Sequence, residues 1–398
     1  MAPIYRVSIA YVAYFAAVGA AWPYLPIYYR ELGLSLAAIG ALAALSAAVQ
    51  LVAAPAWGAL ADRFPHTRLT LPLAALIGVA GALIMMAGTD LPQISAGVIV
   101  LAGGLSGVGP ILDARAIETL GPDRLRYGQV RALGSVAFVV TAWAVGLLID
   151  ARDVAALFLV YVPALLVTAL VSATLVRRPS TRAVGILRGA VGLVRAPGMR
   201  LFLFGTFLVW TSLIAANAFV SIRVAALGGP AQMIGLVWAI GAAVEVPVMW
   251  FFPRIARRHG TGRPLIAGAV LFSIRNAIAA FATDPLVLLA TAPIEGMAFG
   301  LFYVGGVSFV AERAPAGLQA TAQGLFTAVS GLASIVGSVL GGLIAGALGI
   351  PGLFAICAVG GLVAAAVVAV AVSRSGLPAR SIPAAGGQGL ISDSQAIP

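Results

Sequence analysis

Charged and polar residues gather in short clusters along this chain, and the stretches between them are almost wholly apolar. Twelve such stretches, near 6–29, 36–61, 69–89, 94–115, 127–149, 155–176, 199–226, 230–254, 263–282, 286–312, 317–346 and 350–372, each reach about twenty residues or more. None alternates with the period of two that a half-buried strand needs, and an open strand leaves its backbone groups unpaired in hydrocarbon. The pattern therefore predicts twelve helices that cross a membrane, an all-α membrane protein. The first apolar run extends well past the length of a signal-peptide core, so it reads as a span.

Sliding the chain by 195 residues exposes an internal repeat. Ile27 then faces Ile222, Leu32 Leu227, Gly33 Gly228, Ile39 Ile234, Gly40 Gly235, Val49 Val244, Arg63 Arg258 and Arg68 Arg263, with Gln50 against Glu245. The expected organisation is two pseudo-symmetric six-helix bundles, 1–176 and 199–372, joined by a cytoplasmic loop at 177–198 and followed by a disordered cytoplasmic tail at 373–398. Arg188 and Arg195 among apolar neighbours point to an amphipathic helix on that loop. Duplicated bundles of this kind place a solute site near the midplane and rock about it.

Composition agrees with lipid as the solvent: hydrophobic residues make up 61% and charged residues 9%. The net charge of +11 comes from arginine alone, clustered mainly between the spans. That placement excludes the continuous basic stripe of a nucleic-acid binder. One set of loops receives nearly all of it (Arg63, Arg68, Arg124, Arg126, the 177–200 region, Arg254, Arg257, Arg258, Arg263, Arg313, Arg374, Arg380), and the other only Arg30, Arg152 and Arg223. The bias predicts an inner-membrane protein with both termini cytoplasmic. Cys357 is the single cysteine, and His66 and His259 sit in charged connections. No disulfide, metal centre, cofactor motif or enzymatic nucleophile–base set is offered, and the chain is expected to act as a monomer.

A charge at mid-membrane costs about 2.5–3.5 kcal/mol even on mild scales, so each intramembrane charge calls for a partner or a wet cavity. Asp113 and Arg131 stand at the edges of two consecutive spans, where they can pair or hold polar solute groups; Gly109 and Pro110 are expected to bend the helix there. Arg275 and Glu295 fall at similar depth on adjacent antiparallel spans, which predicts an ion pair and makes Glu295 the proton-coupling candidate with Arg275. Glu245 and its repeat partner Gln50 offer polar groups to the same cavity. Tyr24, Tyr28, Trp210 and Tyr303 are further path-lining candidates.

The loop "GALADRFPHTR", with Gly58, Leu60, Asp62 and Arg63, resembles the signature gating loop of the major facilitator superfamily, although Pro65 and Thr67 depart from it. The stretch "YGQVRALGS" and residues 230–300 are similar to the lactose permease and phenylpropionate permease branch. That resemblance implies a major facilitator fold, a solute site that includes Asp113 and Arg131, and a coupling arginine at Arg275. It also implies altered chemistry: Glu295 replaces a histidine, Ala298 a coupling glutamate, and Phe138 a sugar-stacking tryptophan. The resulting expectation is a proton-coupled symporter of a small organic solute. Two arginines favour an organic or aromatic acid; a sugar, a nucleoside or a drug–proton exporter are the alternatives.

Overall fold

The computed structural model describes residues 3–64, 69–120, 127–175, 198–314 and 318–375. The inter-bundle loop with its expected amphipathic helix, the tail beyond Ser375, residues 65–68 and the side chain of Asp62 lie outside them. The described residues form thirteen α-helices. These are α1 (Pro3–Ala21), α2 (Leu25–Glu31), α3 (Leu36–Arg63), α4 (Thr70–Ala87), α5 (Leu91–Leu120), α6 (Tyr127–Ala151) and α7 (Phe158–Ser172). After the loop come α8 (Met199–Asn217), α9 (Val220–Ala226), α10 (Ala231–His259), α11 (Gly262–Phe281), α12 (Pro285–Arg313) and α13 (Gln319–Arg374).

Among the described residues eleven stretches are long and apolar enough to cross a membrane. The last, Thr321–Arg374, has 54 residues; as a straight rod it would reach about 80 Å, against about 30 Å of hydrocarbon. It breaks at Gly349, whose φ of 74° and ψ of 169° leave the helical region. Only glycine takes that conformation without strain, and Pro351 follows it. The two arms make the total twelve spans. Their outer faces carry Val52, Leu170, Trp250 and Phe281, all more than 70% exposed, an arrangement that only lipid tolerates.

The repeat is visible in the backbone. Adding 195 to the limits of α2 gives the limits of α9, and to the start of α3 the start of α10. Gly33 and Gly228 close the two short helices with φ of 80° and 81°. The first break, at residues 22–24, coincides with Pro23 and Pro26; its counterpart at 218–219 forms without proline.

Packing is asymmetric along the membrane normal. Toward the end with few arginines, one continuous apolar core unites both bundles, running from Tyr24, Ile39, Met85 and Phe158 to Phe219, Ile234, Leu288 and Phe354. Toward the arginine-rich end the cores are separate. One lies in the C-terminal bundle around Phe202, Phe302 and Phe309, the other in the N-terminal bundle around Tyr11, Leu71 and Leu112. The bundles meet through α3 on α13 and α6 on α10, and they part toward the arginine-rich end.

Candidate functional site

In the N-terminal bundle the site is built on α1. Tyr11, Tyr14 and Phe15, at helical spacings of three and four, share one face of the helix. The Tyr11 hydroxyl donates to the Asp113 carboxylate, and Tyr127 stands at the same group. One turn along, the Arg131 guanidinium lies 4.2 Å from the centre of the Phe15 ring. Gly134 makes this possible, because a Cβ there would come within 2.6 Å of that ring. Asp113 and Arg131 therefore do not close into an ion pair with each other. Each is held by a different ring of α1, and both remain half-buried and partly open. The expected bend does not interrupt α5, which is one helix from Leu91 to Leu120. A Cβ at Gly109 would make only ordinary contact with the Tyr14 hydroxyl, at 3.5 Å.

In the C-terminal bundle Arg275 Nε approaches Glu295 Oε2 at 3.6 Å, with the arginine 3% and the glutamate 15% exposed. That is an ion pair but too long for a hydrogen bond. Asn217, at the end of α8 where the helix breaks, donates its Nδ2 to Glu295 Oε1 at 2.9 Å. Arg275 Nη1 donates to Asn276 Oδ1 at 3.1 Å, and its guanidinium faces the Phe354 ring at 5.6 Å. Three atoms of this cluster, Arg275 Nε, Glu295 Oε2 and Asn217 Oδ1, are buried with no hydrogen-bond partner among the described residues. A small displacement would close or open this contact.

Glu245 lies near charges of both halves. It is half-buried on α10, within electrostatic reach of Arg131 in the other bundle and of Glu295 on α12. Close packing lets α12 carry Glu295 beside it: a Cβ on Gly296 would lie 3.1 Å from the Glu245 amide nitrogen.

The other candidates are less central. Gln50 is exposed and donates to Ser46 Oγ, one turn back on its own helix, at 3.0 Å. Phe138 is buried, at 8% exposure, on the stretch of α6 whose backbone packs on Gly19, so it does not stand open as a stacking platform. Tyr24 and Tyr28 are buried and donate to the carbonyls of Ala142 and Met85; they are packing groups. Trp210 packs edge-on against both Phe299 and Tyr303, whose rings stack at 5.5 Å. Gly58 stands in open space and Arg63 is exposed. Sequence reasoning missed Tyr11, Tyr14 and Phe15, although their spacing was a signal. It also missed Asn217, the one amide in an otherwise apolar stretch.

The profile of the MFS_1 like family matches residues 4–355. The chain belongs to that family, within the major facilitator superfamily. It is a secondary transporter, a multi-pass membrane protein. It is 31% identical over 339 residues to a maltose permease of Geobacillus stearothermophilus, covering 83% of this chain and 85% of that one. With a probable 3-phenylpropionic acid transporter of Escherichia coli it shares 23% over 309 residues, 77% and 82% of the two chains. The crystal structure of the nucleoside transporter NupG superposes with a TM-score of 0.84 at 18% identity, over 94% of this chain and 99% of that one. Such a likeness speaks for the fold of the family alone.

Proposed function

We propose that this transporter carries a neutral, hydroxyl-rich solute of the sugar or nucleoside class, together with protons. One observation carries the reading: Arg131 lies within reach of Glu245, while Asp113 is held open beside it by Tyr11. Carboxylates accept from solute hydroxyls and a guanidinium donates to ring or carbonyl oxygens, so this set suits a molecule with many hydrogen-bonding groups and no charge. An acid would meet two carboxylates beside one arginine, because Arg275 is already occupied by Glu295. That balance displaces the acid favoured by counting arginines. The similarity to a maltose permease supports the choice, and the similarity to a phenylpropionic acid transporter keeps an aromatic acid in the test.

Glu295 is the proposed proton carrier. A neutral Glu295 would no longer attract Arg275, so proton uptake and movement of the bundles would be linked through this one contact. We take 1–176 and 199–372 as the moving halves, and the arginine-rich end as cytoplasmic, in the plasma membrane with both termini inside. The pose is then open to the cytoplasm. Asp62 and Arg63 fall on that side, where they would hold the halves together when the pose reverses.

Uptake into proteoliposomes tests this. Sugars, nucleosides and aromatic acids are offered with and without an inward-directed proton gradient, to the wild type and Glu295→Gln. A sugar or nucleoside should accumulate only with the gradient, and Glu295→Gln should keep exchange but lose accumulation. Uptake of acids alone, or equal accumulation by both proteins, would overturn the reading.

A further inference from the structure

We infer that Asp150 is a positioning residue of the transport cycle: it holds the arginine-poor gate shut by capping, from one bundle, the first turn of a helix in the other. Asp150 ends α6. Its Oδ1 accepts from the amide of Ala231 at 2.7 Å and its Oδ2 from that of Gln232 at 2.9 Å, the first two residues of α10. Both bonds cross from the N-terminal to the C-terminal bundle.

A carboxylate in the last turn of its own helix faces the negative end of that helix's dipole, which is unfavourable. Its placement is explained by the positive end of α10, with free N–H groups pointing at it. The internal repeat shows why α10 needs help. Its equivalent α3 is capped internally by Ser35, whose side chain accepts from the Ala38 amide at 3.2 Å. The matching position in the second half is Pro230, which provides no side-chain cap. The second half thus lacks its own cap, and Asp150 of the first half supplies one.

The surroundings match a contact that must make and break. A Cβ on Gly146, one turn before Asp150, would lie 2.6 Å from the Gln232 Cα, so α6 and α10 touch backbone to backbone. Trp22 and Trp238, also from opposite bundles, meet at 4.7 Å between ring centres. When this end opens, α10 must lose its cap and Asp150 its donors. The two bonds therefore count wholly toward the closed state.

The test uses the full-length transporter in proteoliposomes, with Cys357→Ser and spin labels on Arg30→Cys and Leu286→Cys, one on each bundle at this end. Pulsed electron resonance gives the distance distribution between them. Asp150→Ala should move the ratio of long to short distances about five- to tenfold toward long, as expected for loss of a charged cap. Asp150→Asn, which keeps a side-chain oxygen, should fall in between. Adding Pro230→Ser to Asp150→Ala restores an internal cap but not the link between bundles, so the long population should persist. An unchanged distribution in Asp150→Ala would overturn the proposal. So would its return to the wild-type distribution on adding Pro230→Ser, since capping of α10 alone would then account for the effect.

Discussion

Asn217 holds one oxygen of the Glu295 carboxylate at 2.9 Å, and Arg275 approaches the other at 3.6 Å without closing a hydrogen bond. The carboxylate is thus fixed from α8 and merely attracted from α11. Asn217 is also the last residue before the break between α8 and α9, so any swing of α9 pulls on the group that orients Glu295. Replacing it tests whether this orientation matters. A hydrogen bond to a charged group contributes about 1.5–3 kcal/mol. Asn217→Leu should therefore reduce gradient-driven accumulation by about tenfold or more, while exchange of solute across equal pH persists. Parallel loss of both activities would mean that Asn217 serves packing only.

The ion pair itself makes a stability prediction. Removing one partner of a buried pair leaves an uncompensated charge and costs on the order of 3–5 kcal/mol. Arg275→Met should lower the melting temperature of the purified protein sharply. Arg275→Met combined with Glu295→Gln should recover most of the loss, because no ion is then left unpaired. Thermal unfolding of the three variants in detergent measures this. A double variant no more stable than Arg275→Met would show that the pair is not what the single change disrupts.

Much of this architecture was legible in the chain. The twelve apolar runs, the repeat at 195 and the break near Gly349 follow from length, periodicity and glycine chemistry alone. The approach of Arg275 to Glu295 followed from their depth on antiparallel neighbours. For Asp113 and Arg131 the sequence leaves pairing and separate contacts open, and the structure holds them apart. Depth brings two groups level, but rotation about the helix axis decides what they touch. In helices apolar all round, sequence carries little information about rotation. Here Tyr11 and Phe15 of α1 intervene and take one group each. Asp150 is not legible as a contact between bundles, because its partners are backbone amides.

That division of labour on α1 can be tested directly. Tyr11→Phe removes the hydroxyl that engages Asp113 and leaves the ring stacked near Phe15. Phe15→Leu removes the surface over which Arg131 rests, an interaction of about 0.5–2 kcal/mol. Each change should weaken solute binding by about three- to thirtyfold with little change in proton-driven accumulation at saturating solute. Arg131→Lys, which keeps the charge but loses the planar fork, should behave like Phe15→Leu or worse. Binding isotherms on purified protein, set beside uptake at high solute, separate these effects. A variant that binds normally but fails to accumulate would move its residue from the solute site to the coupling machinery.

Glycine packing provides the last prediction. Gly146 and Gly235 let α6 and α10 close at the arginine-poor end. A Cβ on Gly146 meets the Cα of Gln232 at 2.6 Å, and one on Gly235 collides with the Ala142 carbonyl and the Tyr24 hydroxyl. Backbone cannot move aside as a side chain can, so a larger residue must hold the helices apart. Gly146→Val should therefore trap the transporter open at this end. A cysteine at Ala142, fully buried in the present pose, should then react with a membrane-impermeant maleimide added from the arginine-poor side, in a Cys357→Ser background. Uptake should fall while solute binding from that side survives. Gly346→Ala is the control, because its added methyl meets nothing within 4 Å and alanine favours the helix. If Gly146→Val leaves the Ala142 position as unreactive as the control does, closure at this end does not depend on the contact between α6 and α10.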